Sequence, residues 1–201
     1  MRTKTEAKRS AILQAAAAEF LERGYHATSL AHVAASMGSS KATIYNYFPT
    51  KAELFSAVLM LAAKPAIAAL LEVFDDPAPF PEQLTAFARA YVEMHAGEIA
   101  VELQRLMVSE RGLARAVLRT MREEPDIHGW PRMARIFSEQ QEQGRLSTGD
   151  VDEMVRVFRT LLHGDLPMQS LIGERDAFTL AEMYASADAT VRFFLAAYGV
   201  K

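Results

Sequence analysis

Apolar residues return at every third or fourth position along almost the whole chain, and nowhere do they alternate singly through a β-branched run. Positions i, i+3, i+4 and i+7 share one face of a helix, whereas a strand needs strict alternation, so the sequence predicts an all-α fold. Ile12, Leu13, Ala16, Ala17, Phe20 and Leu21 form the first stripe, closed by Gly24 as a C-terminal cap. Thr28 is expected to cap a second, short helix carrying Leu30, Val33, Ala34 and Met37, which Gly38 ends. Ser39 or Ser40 then caps a third, with Ile44 and Phe48 facing inward, and Pro49 stops it.

Thr50 and Glu53 have the spacing of a capping box at the head of a fourth helix, which is expected to bend or break near Pro65. Beyond the Asp75–Pro79 turn, longer helices are predicted near 81–96, 98–110, 113–123, 131–143, 150–172 and 176–197, with breaks at Gly97, Gly112, Pro125–Gly129, Gly144–Gly149 and Gly173. A chain of 201 residues, half of them hydrophobic, has enough apolar surface for a substantial core.

The absence of cysteine excludes disulfides, zinc fingers and thiol redox chemistry. The five histidines lack metal-ligand spacing, so no metal is expected, and no phosphate loop, dinucleotide fingerprint or nucleophile elbow points to a cofactor or an enzyme. Met1–Glu6 leads into no apolar run ending in a small-residue cleavage site, and Lys64 and Pro65 interrupt the apolar stretch 57–74. A cytoplasmic protein with no membrane partner is therefore expected.

Charge divides unevenly. Residues 1–60 hold seven cations (Arg2, Lys4, Lys8, Arg9, Arg23, Lys41, Lys51) against four glutamates, while the remainder is net acidic. A basic head on an acidic body suggests that only the head meets a polyanion. Two short helices joined by a turn at Gly38, with a third in front, have the layout in which the later helix enters the major groove of DNA. With Ile44 and Phe48 inward, Ser40, Thr43 and Tyr47 are expected together on the outward face, with Lys41, Ala42, Tyr45 and Asn46 at its rim. Hydroxyls, an amide and a cation are groups that base edges and phosphates accept.

Thr28-Ser29, Val33-Ala34, Gly38, Ser40, Ala42-Thr43-Ile44-Tyr45, Tyr47-Phe48, Lys51 and Glu53-Leu54, with the lead-in Ile12-Leu13-Ala15-Ala16 and Phe20-Gly24-Tyr25, resemble the DNA-binding domain of TetR-family transcriptional regulators over about residues 7–60. Ser39 departs from the family's usual hydrophobic residue, and Ala42 from its common glycine. A looser similarity to the C-terminal domain of the AefR-like branch rests on Phe158, Leu161-Leu162, Gly164-Asp165 and Leu171-Ile172-Gly173.

The resemblance implies a ligand-responsive repressor: a homodimer on a pseudo-palindromic double-stranded operator, released by a small effector. It implies a three-helix head at 1–50, with the helix-turn-helix at about 29–48, and a ligand-binding and dimerisation domain at 51–201. It also implies DNA contacts from Thr28, Ser40, Lys41, Ala42, Thr43, Tyr45, Asn46, Tyr47 and Lys51, and a dimer interface of the helices near 150–172 and 176–197. Met94, Trp130, Phe137 and Met168 are candidates for lining an apolar effector pocket, because methionine adapts its shape to irregular ligands, and His95, Arg105 and His163 are candidates as polar groups within apolar helical stretches, where burial demands a partner. The alternative is an architectural or division-linked factor with the same head, whose body binds a protein.

Overall fold

The computed structural model describes residues 5–123, 129–175 and 177–200. Among these the regular structure is helical: α1 (Glu6–Ala27), α2 (Leu30–Ser36), α3 (Lys41–Tyr47), α4 (Lys51–Glu72), a 3₁₀ turn (Val73–Asp75), α5 (Phe80–Ala96), α6 (Glu98–Ser109), α7 (Arg111–Glu123), α8 (Trp130–Glu142), α9 (Val151–His163), α10 (Leu166–Leu171) and α11 (Leu180–Tyr198). The expected break at Pro125–Gly129 and the expected helix start at Asp176 involve positions outside the described residues, 124–128 and 176.

The chain divides into two compact units, residues 1–65 with 110–127, and 66–109 with 128–201. The division falls inside α4, after Pro65, and α7 groups with the head, whereas the sequence reading placed a boundary at residue 50.

In the first unit, Ile12, Leu13, Ala16, Phe20, Leu30, Val33, Ala34, Ile44, Phe48 and Leu54 form one buried core. Gly24 interrupts the helical geometry of α1 with φ 73°, as a C-cap glycine does. Gly38, at φ 58°, makes the turn between α2 and α3, a conformation costly for a residue with a side chain. The cap of α2 is Ser29 rather than Thr28: the Ser29 hydroxyl accepts from His32 N–H. Thr28 is buried, and its hydroxyl lies 2.8 Å from the carbonyl of Gly24 and 3.1 Å from that of Glu19, closing the end of α1 instead.

No break appears at Pro65, which lies within a continuous α4. On length and mean hydropathy (2.0) the stretch Lys51–Asp75 is apolar enough to cross a membrane, contrary to the expectation that Lys64 and Pro65 interrupt it. One such helix is weak evidence, since length and composition alone admit core helices of soluble proteins.

In the second unit α11 packs along α5, and Phe137, Phe158 and Phe194 meet at the centre with ring centroids 4.9–5.7 Å apart. The single helix expected over 150–172 is two. Gly164, at φ 47° and ψ −153°, separates α9 from α10, a turn that only a residue without Cβ makes cheaply. The chain end is pinned: Ser147 N–H donates to the Tyr198 carbonyl at 2.7 Å, and Val200 N–H to the Arg145 carbonyl at 3.1 Å.

Two carboxylates tie α11 down. Arg89 grips Asp188 through two 2.7 Å bonds, which hold the Asp188 carboxyl below its ordinary range. Arg175, with the N–H and hydroxyl of Thr179, pulls Glu182 down to about 2. Both groups titrate lower in the folded chain than unfolded, so their stabilisation is complete above the ordinary carboxylate range and is lost as pH falls toward about 2. The urea midpoint is expected to drop between pH 5 and 3, and Glu182→Gln should flatten that slope.

Candidate nucleic-acid interface and effector cluster

Ser40 caps α3, its oxygen accepting from Thr43 N–H at 3.2 Å and lying 2.9 Å from the Thr43 hydroxyl. Ile44 is fully buried and Phe48 nearly so, and together they anchor α3. At about 100° per residue the side opposite Ile44 belongs to Ala42 and Asn46. Ala42 and Asn46 are accordingly exposed, as are Tyr45 and Lys41, the latter as the first residue of the helix, while Thr43 and Tyr47 are half-buried beside the anchor. This corrects the expectation that Thr43 and Tyr47 form the outward face.

Tyr47 packs against the core, and its hydroxyl accepts from Thr5 N–H at 2.9 Å. Thr28 offers no hydroxyl to a partner molecule, for the reason given above. Lys51 is also engaged: its ammonium donates to the carbonyls of Tyr25 (2.8 Å) and His26 (3.2 Å) and lies 4.4 Å from the centroid of the Tyr25 ring. It thereby closes the end of α1 with a fixed positive charge. Sequence reasoning missed this role, because the carbonyls it serves lie 25 and 26 positions upstream.

Thr28, Ser29, Tyr45, Pro49, Thr50 and Lys51, with His26, Ala27 and Leu30, surround an open hollow of about 420 Å³. Lys8 Nζ donates to Ser39 Oγ at 2.9 Å, and the Arg9 guanidinium lies 5.6 Å from the Phe48 ring centroid, so two further cations of α1 sit beside α3.

The expected capping box at Thr50 is half made. Thr50 Oγ1 accepts from Glu53 N–H at 3.1 Å, but the Glu53 carboxylate turns to Arg119 of α7 at 2.6 Å. A charged partner competes successfully with a neutral N–H.

The second unit brings three of the seven effector candidates together. His95 stacks on Tyr91 at 3.9 Å, and the His163 ring lies 5.8 Å from His95 and 5.9 Å from Tyr91. Trp130 lies 5.5 Å from Tyr91, with the Arg159 guanidinium 5.8 Å from its ring. Burial pushes both imidazoles below their ordinary range and the Tyr91 phenol above its own, so the cluster is uncharged near neutral pH. Among the described residues the Tyr91 hydroxyl takes no hydrogen bond. Tyr91 itself carried no signal in the sequence beyond its place on an apolar stripe.

Arg105 is committed elsewhere, to the Ser170 carbonyl and to Glu102. Met168 is exposed and Met94 half-buried. Phe137 is fully buried among Phe80, Phe158 and Phe194, which makes it core.

Solved proteins share this architecture. A TetR-family transcriptional regulator of Mesorhizobium loti is 26% identical, with a TM-score of 0.76 over 98% of this chain and 100% of the other. The flavonoid-responsive regulator FrrA is 30% identical, with a TM-score of 0.67 over 98% of this chain and all of FrrA. The transcriptional repressor BepR of Brucella suis is 38% identical over 82 residues, 39% of either protein, so this chain spans about two fifths of that curated relative. The model of tetR-family bacterial regulatory proteins matches residues 12–58, within the first unit. That of the AefR-like transcriptional repressor C-terminal domain matches residues 82–200, more than half the chain, and the protein belongs to the TetR family of bacterial transcriptional regulators.

Proposed function

We propose that this protein is a ligand-responsive repressor that binds a pseudo-palindromic operator as a homodimer and is released by a small, largely apolar effector. Members of its family are transcriptional regulators rather than enzymes, and bind DNA, usually as dimers, with small-molecule ligands. The observation that carries the reading is α3, anchored by Ile44 and Phe48, with Lys41, Ala42, Tyr45 and Asn46 outward and Ser40 at its start. A short rod with those side chains outermost fits the major groove.

We assign DNA binding to residues 1–50, with the helix-turn-helix at about 29–48, and ligand binding and dimerisation to the remainder. Lys51, Tyr47 and Thr43 hold or flank the surface, and Lys51, with one ammonium proton beyond its two carbonyls, meets a phosphate. Exposed Leu180 and Phe193 on α11 support a homodimer through α9 to α11. Tyr91, His95, Trp130 and His163 suit a planar apolar effector, a choice supported by the 30% identity to FrrA, a flavonoid-responsive regulator. A regulator of this kind works in the cytoplasm.

The test is to sequence the genomic fragments that the purified protein retains and to titrate release with planar aromatic compounds. One or a few palindromic sites beside an efflux or catabolic operon are expected. Many dispersed sites with no small-molecule effect would instead favour the architectural reading. On the selected duplex, Lys41→Ala should lower the salt slope by about one, while Asn46→Ala should relax base preference at one position by about 1–3 kcal/mol.

A further inference from the structure

Glu53 stands between two partners. Thr50 and Glu53 are spaced for a reciprocal capping box, in which the carboxylate of the third helical residue accepts from the N–H of the cap. Only one half exists, the bond from Glu53 N–H to Thr50 Oγ1. Glu53 Oε1 instead accepts from Arg119 Nη2 on α7, and its Oε2 is buried with no hydrogen-bond partner among the described residues. A buried carboxylate oxygen without a donor is costly. The carboxylate is therefore only half satisfied where α7 holds it.

A second bond joins the same helices three residues on. The Thr120 hydroxyl donates to the Ala116 carbonyl, so its oxygen accepts from the buried Ser56 hydroxyl at 2.9 Å. Arg119 has another carboxylate within 3.9 Å on its own helix, Glu123, so leaving Glu53 does not strand its charge. The Thr50 end of α4 borders the hollow that Ser29, Tyr45 and Lys51 also line.

We infer that Glu53 is a positioning residue that sets operator affinity according to where α7 lies. This rests on the operator reading above. With α7 seated, Arg119 holds the carboxylate away and leaves the Thr50 N–H and the Lys51 charge open to a phosphate. When α7 withdraws, Glu53 rotates back to Thr50, completes the capping box, removes that donor and places a negative charge beside the phosphate position. Like charges at that separation repel, and the head releases DNA. An effector that displaces α7 is thus read at the DNA surface through one side chain, without unfolding the head.

The experiment uses the full-length protein and the duplex it selects from a random pool. Arg119→Ala is expected to weaken binding about tenfold per head. Arg115→Ala, which removes the same charge from an exposed position of α7, should change it about twofold or less. The double variant Glu53→Gln/Arg119→Ala should recover to within about twofold of the parent, because the released side chain no longer carries charge. A merely structural clasp would leave the double variant as weak as the single one, and that result overturns the inference, as does equality of Arg119→Ala with Arg115→Ala.

Amide exchange in the absence of DNA gives a second readout. Thr50 N–H should slow about tenfold in Arg119→Ala and return to the parent rate in the double variant; an unchanged rate refutes the exchange of partners. Arg119→Gln, which keeps the stem, replaces the alanine variant if that one does not fold. Parent protein that selects no duplex refutes the operator reading, while the Thr50 amide still decides what Glu53 does.

Discussion

Ile44→Ala should destabilise the DNA-binding head by about 3 kcal/mol and abolish sequence-selective DNA binding while the rest of the protein stays folded. Ile44 is fully buried, and the core around it contains ten buried residues shared among α1 to α4, so little surrounding structure exists to collapse into the void. The head is small, and a few kcal/mol is a large share of what such a unit holds. The protein reports the two units separately, because its one tryptophan, Trp130, lies in the second. The urea transition followed by Trp130 fluorescence is expected to stay in place while amide protection over α1 to α3 disappears. Loss of both together would show that the head has no independent stability.

Phe137→Ala should do the reverse, at a cost of about 4 kcal/mol. Its ring is fully enclosed, packed 5.0 Å from Phe194 and 5.7 Å from Phe158 by centroid, and edge-on to Phe80 at 6.3 Å. Truncation opens a void at the junction of α5, α8, α9 and α11 and removes three aromatic contacts. The Trp130 transition should move to markedly lower urea, with head amides protected as before. Had Phe137 been an effector contact, as its sequence position suggested, the variant would keep its stability and lose only its response to ligand.

Much of the head was legible because it is local. Gly24 and Gly38 mark turns through their own backbone freedom, and Ile44 and Phe48 fall on one face by helical spacing alone. What escaped depends on partners distant in the chain. Thr28 and Ser29 are equally good caps by chemistry. The choice of Ser29 was decided by the α1 carbonyls of Glu19 and Gly24, which take the Thr28 hydroxyl. Glu53 fits its capping box by spacing and is drawn from it by an arginine 66 positions away.

The outward face of α3 was misjudged for a simpler reason. Taking Ile44 and Phe48 as inward fixes an axis, and Thr43 and Tyr47, within about 100° of it, flank that axis rather than oppose it. In the body, periodicity located each helix that lies among the described residues, but it ran through Gly164, since apolar residues continue on both sides of that break. The candidate cluster around Tyr91 was half visible: His95, Trp130 and His163 stood out as polar or bulky residues on apolar stripes. Tyr91, the ring that joins them, looked like any other core tyrosine.

The pinned chain end also governs how the protein can be handled. With Val200 bonded to Arg145, and Tyr198 to Ser147, a purification handle or fluorescent fusion joined after Val200 leaves from a fixed point beside the loop between α8 and α9. Deleting Gly199 and Val200 should accordingly free one side of that loop. Trimming beyond that point would cut the staple of that loop before reaching α11 itself.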